Sequence, residues 1–257
     1  MSETSPVFTR PARAPQPEWA IAVAEIVDLT PHMRRIVFTG ALAGFQHLPG
    51  QDLVLLMDTG GDELGRRHYT IRDFRDGRLS IDFVLHGHDG PAERWALTAK
   101  PGDRLQARGP RGRTVIRPDA DWHVFVGDET CLPGIAAMIE SLPDQALATA
   151  FIEVAEEADR QEIAAVCRLD LNWLVRRGPA VPASPRLIER LSLFAPPPGR
   201  GQAYVIGETS TVQAQRRGLL ARGLGKDQIS AEGYWRPGRL GGHDHIFDMD
   251  GAGMRGR

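Results

Sequence analysis

The sequence predicts two domains in series, an antiparallel β-barrel followed by an α/β domain built on a parallel sheet. Three observations lead there. The chain has 257 residues, enough for one large or two ordinary domains. Up to about residue 118, short β-branched and aromatic runs are punctuated by Gly and Pro. Beyond it, strand-like and helix-like segments alternate. A composition of 42% hydrophobic and 25% charged residues is that of a soluble globular protein.

In the first part the candidate strands are Ala20–Val27, Arg35–Phe38, Leu53–Met57, His68–Arg72, Leu79–Leu85 and Arg104–Arg108. Five or six such strands in about 100 residues suggest a small closed antiparallel sheet. One helix interrupts it. Pro91 suits a first helical turn, and Ala92–Ala99 follows. In the second part Val124–Val126 leads to a helix over Ile135–Ser141, then Thr149–Val154. Leu171–Val175 leads to a helix over Pro185–Ser192. Tyr204–Ile206 leads to a helix over Val212–Arg222, and Ile229–Gly233 closes the series. That rhythm implies a parallel sheet with helices on its faces. The expected division is a flexible arm over 1–17, domains over 18–117 and 118–237, and a flexible tail over 238–257. Pro196-Pro197-Pro198-Gly199 reads as a rigid connection.

A formal charge of −2 gives no global attraction for nucleic acid or a membrane surface. Any anionic ligand must be drawn by a local patch. Cys131 and Cys167 are the only cysteines, too few for a zinc or iron–sulfur site by themselves. The proline-bearing N-terminus shows no signal-peptide pattern, and no stretch reaches the ~18 apolar residues of a membrane span. A cytoplasmic protein with free thiols, and a monomer, is the expectation.

The chemistry concentrates in Arg66-Arg67-His68-Tyr69-Thr70-Ile71-Arg72-Asp73-Phe74. On an extended strand Arg67, Tyr69 and Ile71 share one face, and His68, Thr70 and Arg72 the other. Clustered guanidinium groups suit phosphate or carboxylate, and Tyr69 suits stacking on a ring. A ring joined to a pyrophosphate is a flavin dinucleotide. An edge strand with a wet, charged face is the alternative. Further on, Gly87 and Gly90 precede the helix at Pro91, whose N-terminus is either an anion site or a plain capped loop. Gly127-Asp128-Glu129-Thr130 ends an apolar strand and opens a helix. That is the topological place for a nucleotide; the alternative reading makes Asp128 or Thr130 a helix cap.

Four segments in register resemble the siderophore-interacting proteins, flavin-containing ferric-siderophore reductases of the ferredoxin-reductase superfamily. They are the R-x-Y-T-x-R pattern of Arg67, Tyr69, Thr70 and Arg72, the run from His86 to Ala96, Gly127 to Pro133, and Gly233-Tyr234-Trp235-Arg236. The resemblance runs from about residue 17 to about residue 240. It implies a flavin-binding barrel, an NAD(P)H-binding α/β domain, FAD as cofactor, NADPH or NADH as electron donor, and a ferric siderophore or ferric chelate as partner. Thr70 and Tyr69 are then the residues at the reacting flavin ring. Arg67, Arg72, His86, Gly87, Gly90, Pro91, Ala92, Asp128, Thr130 and Trp235 join them in holding FAD. Gly127, Gly207 and Glu208 fall at the nicotinamide end, and Arg236, Arg239 and His243 form a basic group toward an anionic ferric complex. No metal site is expected, since the pair His86 and His88 has no evident third ligand.

The chain departs from the family's pattern in places. Many relatives have a small or hydroxyl residue where Glu93 stands, and an acid beside a pyrophosphate is unfavourable unless it turns away. Alanine is usual where Cys131 stands, and a small buried residue is the expectation there. Some relatives carry a basic residue in the region Pro49-Gly50-Gln51-Asp52-Leu53-Val54; here Asp52 and Val54 argue against a purely catecholate substrate. Glu153 ends the second α/β strand, where an acid selects NAD by binding the ribose, whereas a nearby arginine accommodates the extra phosphate of NADPH. Arg160, Arg176 and Arg177 are the arginines at hand, and the donor stays open between the two dinucleotides.

Overall fold

The computed structural model describes residues 16–58, 64–87, 90–238 and, for the backbone, 244–245. Thirteen strands and four α-helices among these residues form two sheets. The first holds seven antiparallel strands: β1 (Glu18–Thr30), β2 (Met33–Gly40), β3 (Asp52–Met57), β4 (Gly65–Thr70), β5 (Asp73–Arg75), β6 (Arg78–Val84) and β7 (Arg104–Arg111), in the order β4-β3-β7-β1-β2-β6-β5. Helix α1 (Pro91–Thr98) lies between β6 and β7.

The predicted strand His68–Arg72 is cut short, and β5 was not foreseen. Thr70 is the last residue of β4. The Ile71 N–H then donates to Gln51 O on the β3 side at 2.9 Å, and the Arg72 N–H donates to Ser80 O of β6 at 3.0 Å. Within two residues the chain passes from one end of the sheet to the other. The sheet therefore curls round a shared core of Ile36, Phe38, Leu53, Leu55, Ile71, Leu79, Ile81 and Phe83, all fully buried. Burying each such side chain contributes roughly 1.5–3 kcal/mol.

The second sheet holds β8 (Trp122–Asp128), β9 (Leu147–Val154), β10 (Arg168–Val175), β11 (Gly201–Glu208) and β12 (Ile229–Trp235), all parallel, with the two-residue β13 (Asp244–His245) antiparallel at the edge beside β12. Every residue of β8 and of β11 is buried, as expected of central strands covered on both faces. Helix α2 (Leu132–Glu140) packs on one face through Ile135, Met138 and Ile139. Helices α3 (Pro185–Ser192) and α4 (Thr209–Ala221) pack on the other through Leu187, Leu191, Val212 and Leu219. The strand order β10-β9-β8-β11-β12 reverses between β8 and β11. Their carboxyl ends, Asp128 and Glu208, flank the switch point where open α/β sheets bind ligands.

The two sheets are joined by specific contacts. Met33 of β2 belongs to the same buried cluster as α2. Thr114 Oγ1 donates to Glu232 Oε2 of β12 at 2.7 Å. Thr70 lies against α2 at Gly134, where a Cβ would stand 2.9 Å from Thr70 Cγ2; a glycine there permits the approach. Among the described residues, no helix is long and apolar enough to cross a membrane. The expected N-terminal arm and C-terminal tail fall almost wholly outside the described residues.

Candidate cofactor and substrate cleft

A cleft of about 510 Å³ opens at the switch point between the two sheets. The antiparallel sheet, whose closure into the expected barrel is not seen in its strand pairing among the described residues, contributes Thr30, His32 and Met33 from the β1–β2 turn, and Val84, Leu85 and His86 from the end of β6. The α/β domain contributes Asp128, Glu129 and Thr130 after β8, Ala155 and Asp159 after β9, Arg176 after β10, and Trp235 with Arg236 after β12. Parallel strands end at one edge of a sheet, so residues far apart in sequence meet there.

Each acid in the cleft has a defined partner. Asp128 is 4% exposed. Its Oδ1 accepts from Thr130 N at 2.9 Å and from Thr130 Oγ1 at 2.5 Å, and its Oδ2 accepts from Trp235 Nε1 at 2.9 Å. Asp128 thus closes the turn that leads to α2, whose N-cap is Cys131 with no side-chain cap. Burial, reinforced by the neighbouring Glu129 charge, pushes its pKa up to about 6. Glu129 forms a paired contact with Arg176, one arm at 2.7 Å. Asp159 holds His32 Nδ1 at 2.9 Å and accepts from Thr30 Oγ1 at 3.3 Å, tying the β1–β2 turn to the opposite wall.

The other acids at this sheet edge are structural. Glu153 is buried and accepts from Ser184 Oγ at 2.8 Å, and Ser184 caps α3. Burial pushes Glu153 above the ordinary carboxylate range. It is committed to the interior and does not present a carboxylate to a ribose. Glu208 accepts from Ser210 N, Thr211 N and Ala183 N at 2.9, 2.8 and 2.9 Å. Burial alone would raise its pKa, but these donors hold it below the ordinary range. Gly207, just before it, has φ +130°, and a Cβ there would stand 2.7 Å from Asp128 Oδ2. Gly127 is buried on β8 against Cys131. Cys131 is fully buried, and burial raises its thiol well above the ordinary value, so it is the small buried residue expected. Both cysteines are free and buried.

The strand that drew attention in the sequence lies beside the cleft. Of the residues singled out, His86, Asp128, Thr130, Trp235 and Arg236 line the cleft. Tyr69 rests against Phe83, with ring centroids 4.2 Å apart, and burial raises its phenol pKa. Thr70 is buried, and its side chain hydrogen-bonds to Tyr234 of β12. Arg67 is half-buried and donates to Arg66 O at 2.9 Å. Arg72 points elsewhere. Its guanidinium grips Glu140 of α2 at 2.7 and 2.6 Å. Helix α1 begins at Pro91 with Gly90 as N-cap and no side chain capping it. Glu93 turns back, and its Oε1 accepts from Gly87 N at 2.6 Å. The acid that looked out of place braces the Gly87 turn. Asp52, which seemed to place an acid toward substrate, is buried and paired with His68 Nδ1 at 2.6 Å. Arg239, His243 and His88 lie outside the described residues. Among the described residues, no group of three or more His, Cys, Asp or Glu is placed to hold a metal ion.

His32, which Asp159 holds across the cleft, was not singled out by the sequence. Nothing in Thr30-Pro31-His32 distinguishes it from an ordinary turn, and its partner is 127 residues away.

An antiparallel sheet domain followed by a five-stranded parallel sheet, with the cleft between them, is the architecture of the ferredoxin reductases. The ferredoxin reductase of carbazole 1,9a-dioxygenase has this fold, with a TM-score of 0.63 at 20% identity over 83% of this chain and 66% of that one. Within that class the chain belongs to the siderophore-interacting protein family: residues 57–114 match the family model "Siderophore-interacting FAD-binding domain" and residues 120–238 match "Siderophore-interacting protein". A siderophore utilization protein from T. fusca is 35% identical, with a TM-score of 0.81 over 90% of this chain and 97% of that one. Ferric vibriobactin reductase ViuB of Vibrio cholerae is 36% identical over 67% of this chain and 65% of its own length. The NADPH-dependent ferric-chelate reductase of Escherichia coli is 30% identical over 66% of this chain and 65% of its own.

Proposed function

We propose that the chain is an FAD-containing, NAD(P)H-dependent reductase of ferric siderophores, releasing iron as iron(II). The observation that carries this reading is the cleft at the α/β switch point, walled on its other side by the barrel of a siderophore-interacting FAD-binding domain. Ferric-chelate reduction in two relatives supports the choice of substrate.

The residues present fit the flavin. Tyr69 offers a ring face braced by Phe83. The N-terminus of α1, where the Gly90 N-cap supplies no side-chain bond, lies beside Gly87 and Gly90, and the helix dipole there favours a pyrophosphate. Arg67 supplies a cation that, among the described residues, donates to a backbone carbonyl. Thr70 is fixed by Tyr234 and by the close approach of α2, and in this reading it stands at the ring's reactive edge. When bound, FAD takes a hydride from the nicotinamide and hands single electrons to iron(III).

The protein's part is orientation and electrostatics. Trp235 and Asp128 form the wall on the nicotinamide side, and His86 borders the flavin side. Arg236 contributes positive charge at the mouth, which raises the local concentration of anionic ferric complexes. Iron(II) binds hard oxygen ligands weakly, so reduction itself releases it. No general acid, base or nucleophile is required by this chemistry. NADPH is the preferred donor in this reading, because Glu153 is unavailable to a ribose and Arg177 stands exposed just after β10, between the cleft residues Arg176 and Gly178.

The test is turnover. Purified protein, NADPH and a ferric siderophore should yield iron(II), trapped by a ferrous chelator, at a rate proportional to enzyme. Retention of ferric siderophore with no iron(II) formed would instead identify a binding protein.

A further inference from the structure

Asp128 and Trp235 end neighbouring walls of the cleft, and each is fixed where it meets the other. Trp235 is held at both ends. Its indole Nε1 donates to Asp128 Oδ2 at 2.9 Å, and its carbonyl accepts from Thr209 Oγ1 at 3.1 Å. Register also shifts here: β11 and β12 pair Gly207 with Gly233 but Glu208 with Trp235, a bulge that re-aims the last residue of β12. Asp128 Oδ1 is held by two donors from Thr130. Gly207 completes the arrangement, because any side chain there would strike the Asp128 oxygen that holds the indole.

The charges around Asp128 are already matched to other groups. Glu129, the next residue, is bound to Arg176. Glu153 sits opposite Asp128 in the β8–β9 register and is bound to Ser184. Glu208 is bound by the start of α4. The Cys131 thiol donates to the Asp128 backbone carbonyl. Across the cleft, His32 is bound to Asp159, and His86 and Arg236 line the remaining wall. Every group bonded to the Asp128 carboxylate is a neutral donor; these bonds favour its charged form, and burial with the Glu129 charge outweighs them.

We propose that Asp128 is a positioning residue that acts through Trp235: its charged carboxylate holds the indole across the cleft, and its protonation frees the indole and widens the way in for the nicotinamide. The inference rests on the reductase reading only in naming what enters. A hydrogen bond to a carboxylate is roughly twice as strong as one to a neutral acceptor, so losing the charge weakens the hold. Burial places the change near pH 6. Because burial raises the pKa, the latch is engaged above that pH and slackens below it.

The experiment has two readouts. The fluorescence of Trp235, taken as wild type minus Trp235→Phe, should shift with a midpoint near pH 6. Asp128→Asn should abolish the shift and hold the signal at its acid value throughout. Glu129→Gln, which removes a neighbouring negative charge, should move the midpoint to lower pH. For NADPH, Asp128→Asn and Trp235→Phe should each lower KM at pH 7.5 by about tenfold, the low end of what one charge-assisted hydrogen bond is worth, and the double variant should gain nothing further. A Trp235 signal that is flat with pH in the wild type, or additive effects of the two variants on KM, would overturn the proposal. Absence of NADPH oxidation in every form would count against the reductase reading, while the fluorescence would still judge the latch.

Discussion

Arg72 and Glu140 face each other across the two domains, with both guanidinium nitrogens within 2.7 Å of the two carboxylate oxygens. The side chains are 14% and 15% exposed, and Asp82 lies 4.0 Å from Arg72 on its other side. In the sequence Arg72 reads as a phosphate ligand on the flavin strand; in the structure it fastens the barrel to α2. Removing one partner of a buried pair leaves the other charge uncompensated and costs about 3–5 kcal/mol. Arg72→Ala should therefore lower the melting temperature of the flavin-free protein by roughly 6–20 °C, at the 2–4 °C per kcal/mol usual for a chain of this size. Arg67→Ala should leave that melting temperature unchanged and lower flavin content on purification. The reverse pattern would show that the two arginines have been assigned the wrong way round.

Glu208 gives a prediction for acid stability. Its folded pKa lies below the ordinary 4.5, so the stability it contributes is present above that value and is lost as pH falls through the folded pKa. Glu208→Gln should destabilise the protein by about 1–3 kcal/mol at pH 7, through loss of charge-assisted bonds to Ser210, Thr211 and Ala183. The gap between variant and wild type in urea unfolding should narrow below about pH 4.5. A gap that is constant with pH would mean that the charge plays no part.

How far the sequence revealed all this depended on range. The all-buried strands β8 and β11 and helices α2 to α4 were legible, because long apolar runs and Pro or Ser at helix starts are local signals. The three-residue β5 was not, since nothing in Asp73-Phe74-Arg75 separates an edge strand from a turn. The site divides in the same way. His86, Asp128, Thr130, Trp235 and Arg236, which the motifs singled out, all line the cleft. The acids looked wrong beside a phosphate only because their partners are distant: Arg176 for Glu129 is 47 residues on and Trp235 for Asp128 is 107; the partner of Arg72, Glu140, is likewise 68 residues away. Pairing across such separations is fixed by the tertiary fold and leaves no local trace.

Dinucleotide choice should follow Arg177 and ignore Glu153. Arg177→Ala should raise KM for NADPH about tenfold, the equivalent of ~1.4 kcal/mol, while leaving KM for NADH as it was. Glu153→Gln should leave the ratio of the two unchanged, because the carboxylate is buried beneath Ser184. Steady-state kinetics with both dinucleotides decides this, and a change of preference in the Glu153 variant would return that residue to the ribose site.

Arg236, at the mouth of the cleft, should steer anionic ferric chelates. Arg236→Ala should raise KM for an anionic chelate several-fold more than for a neutral one, and the difference should fade with added salt as the screening length shortens toward ~3 Å at 1 M. Equal effects on both substrates at all salt concentrations would remove Arg236 from substrate steering.

The most direct test of the central claim is an anaerobic absorbance titration of the purified protein. The account predicts a flavin spectrum that bleaches on adding one equivalent of NADPH and returns on adding ferric siderophore, with about two iron(II) trapped per flavin because a hydride carries two electrons. A spectrum that bleaches and stays bleached in the presence of ferric siderophore, with no iron(II) trapped, would contradict it.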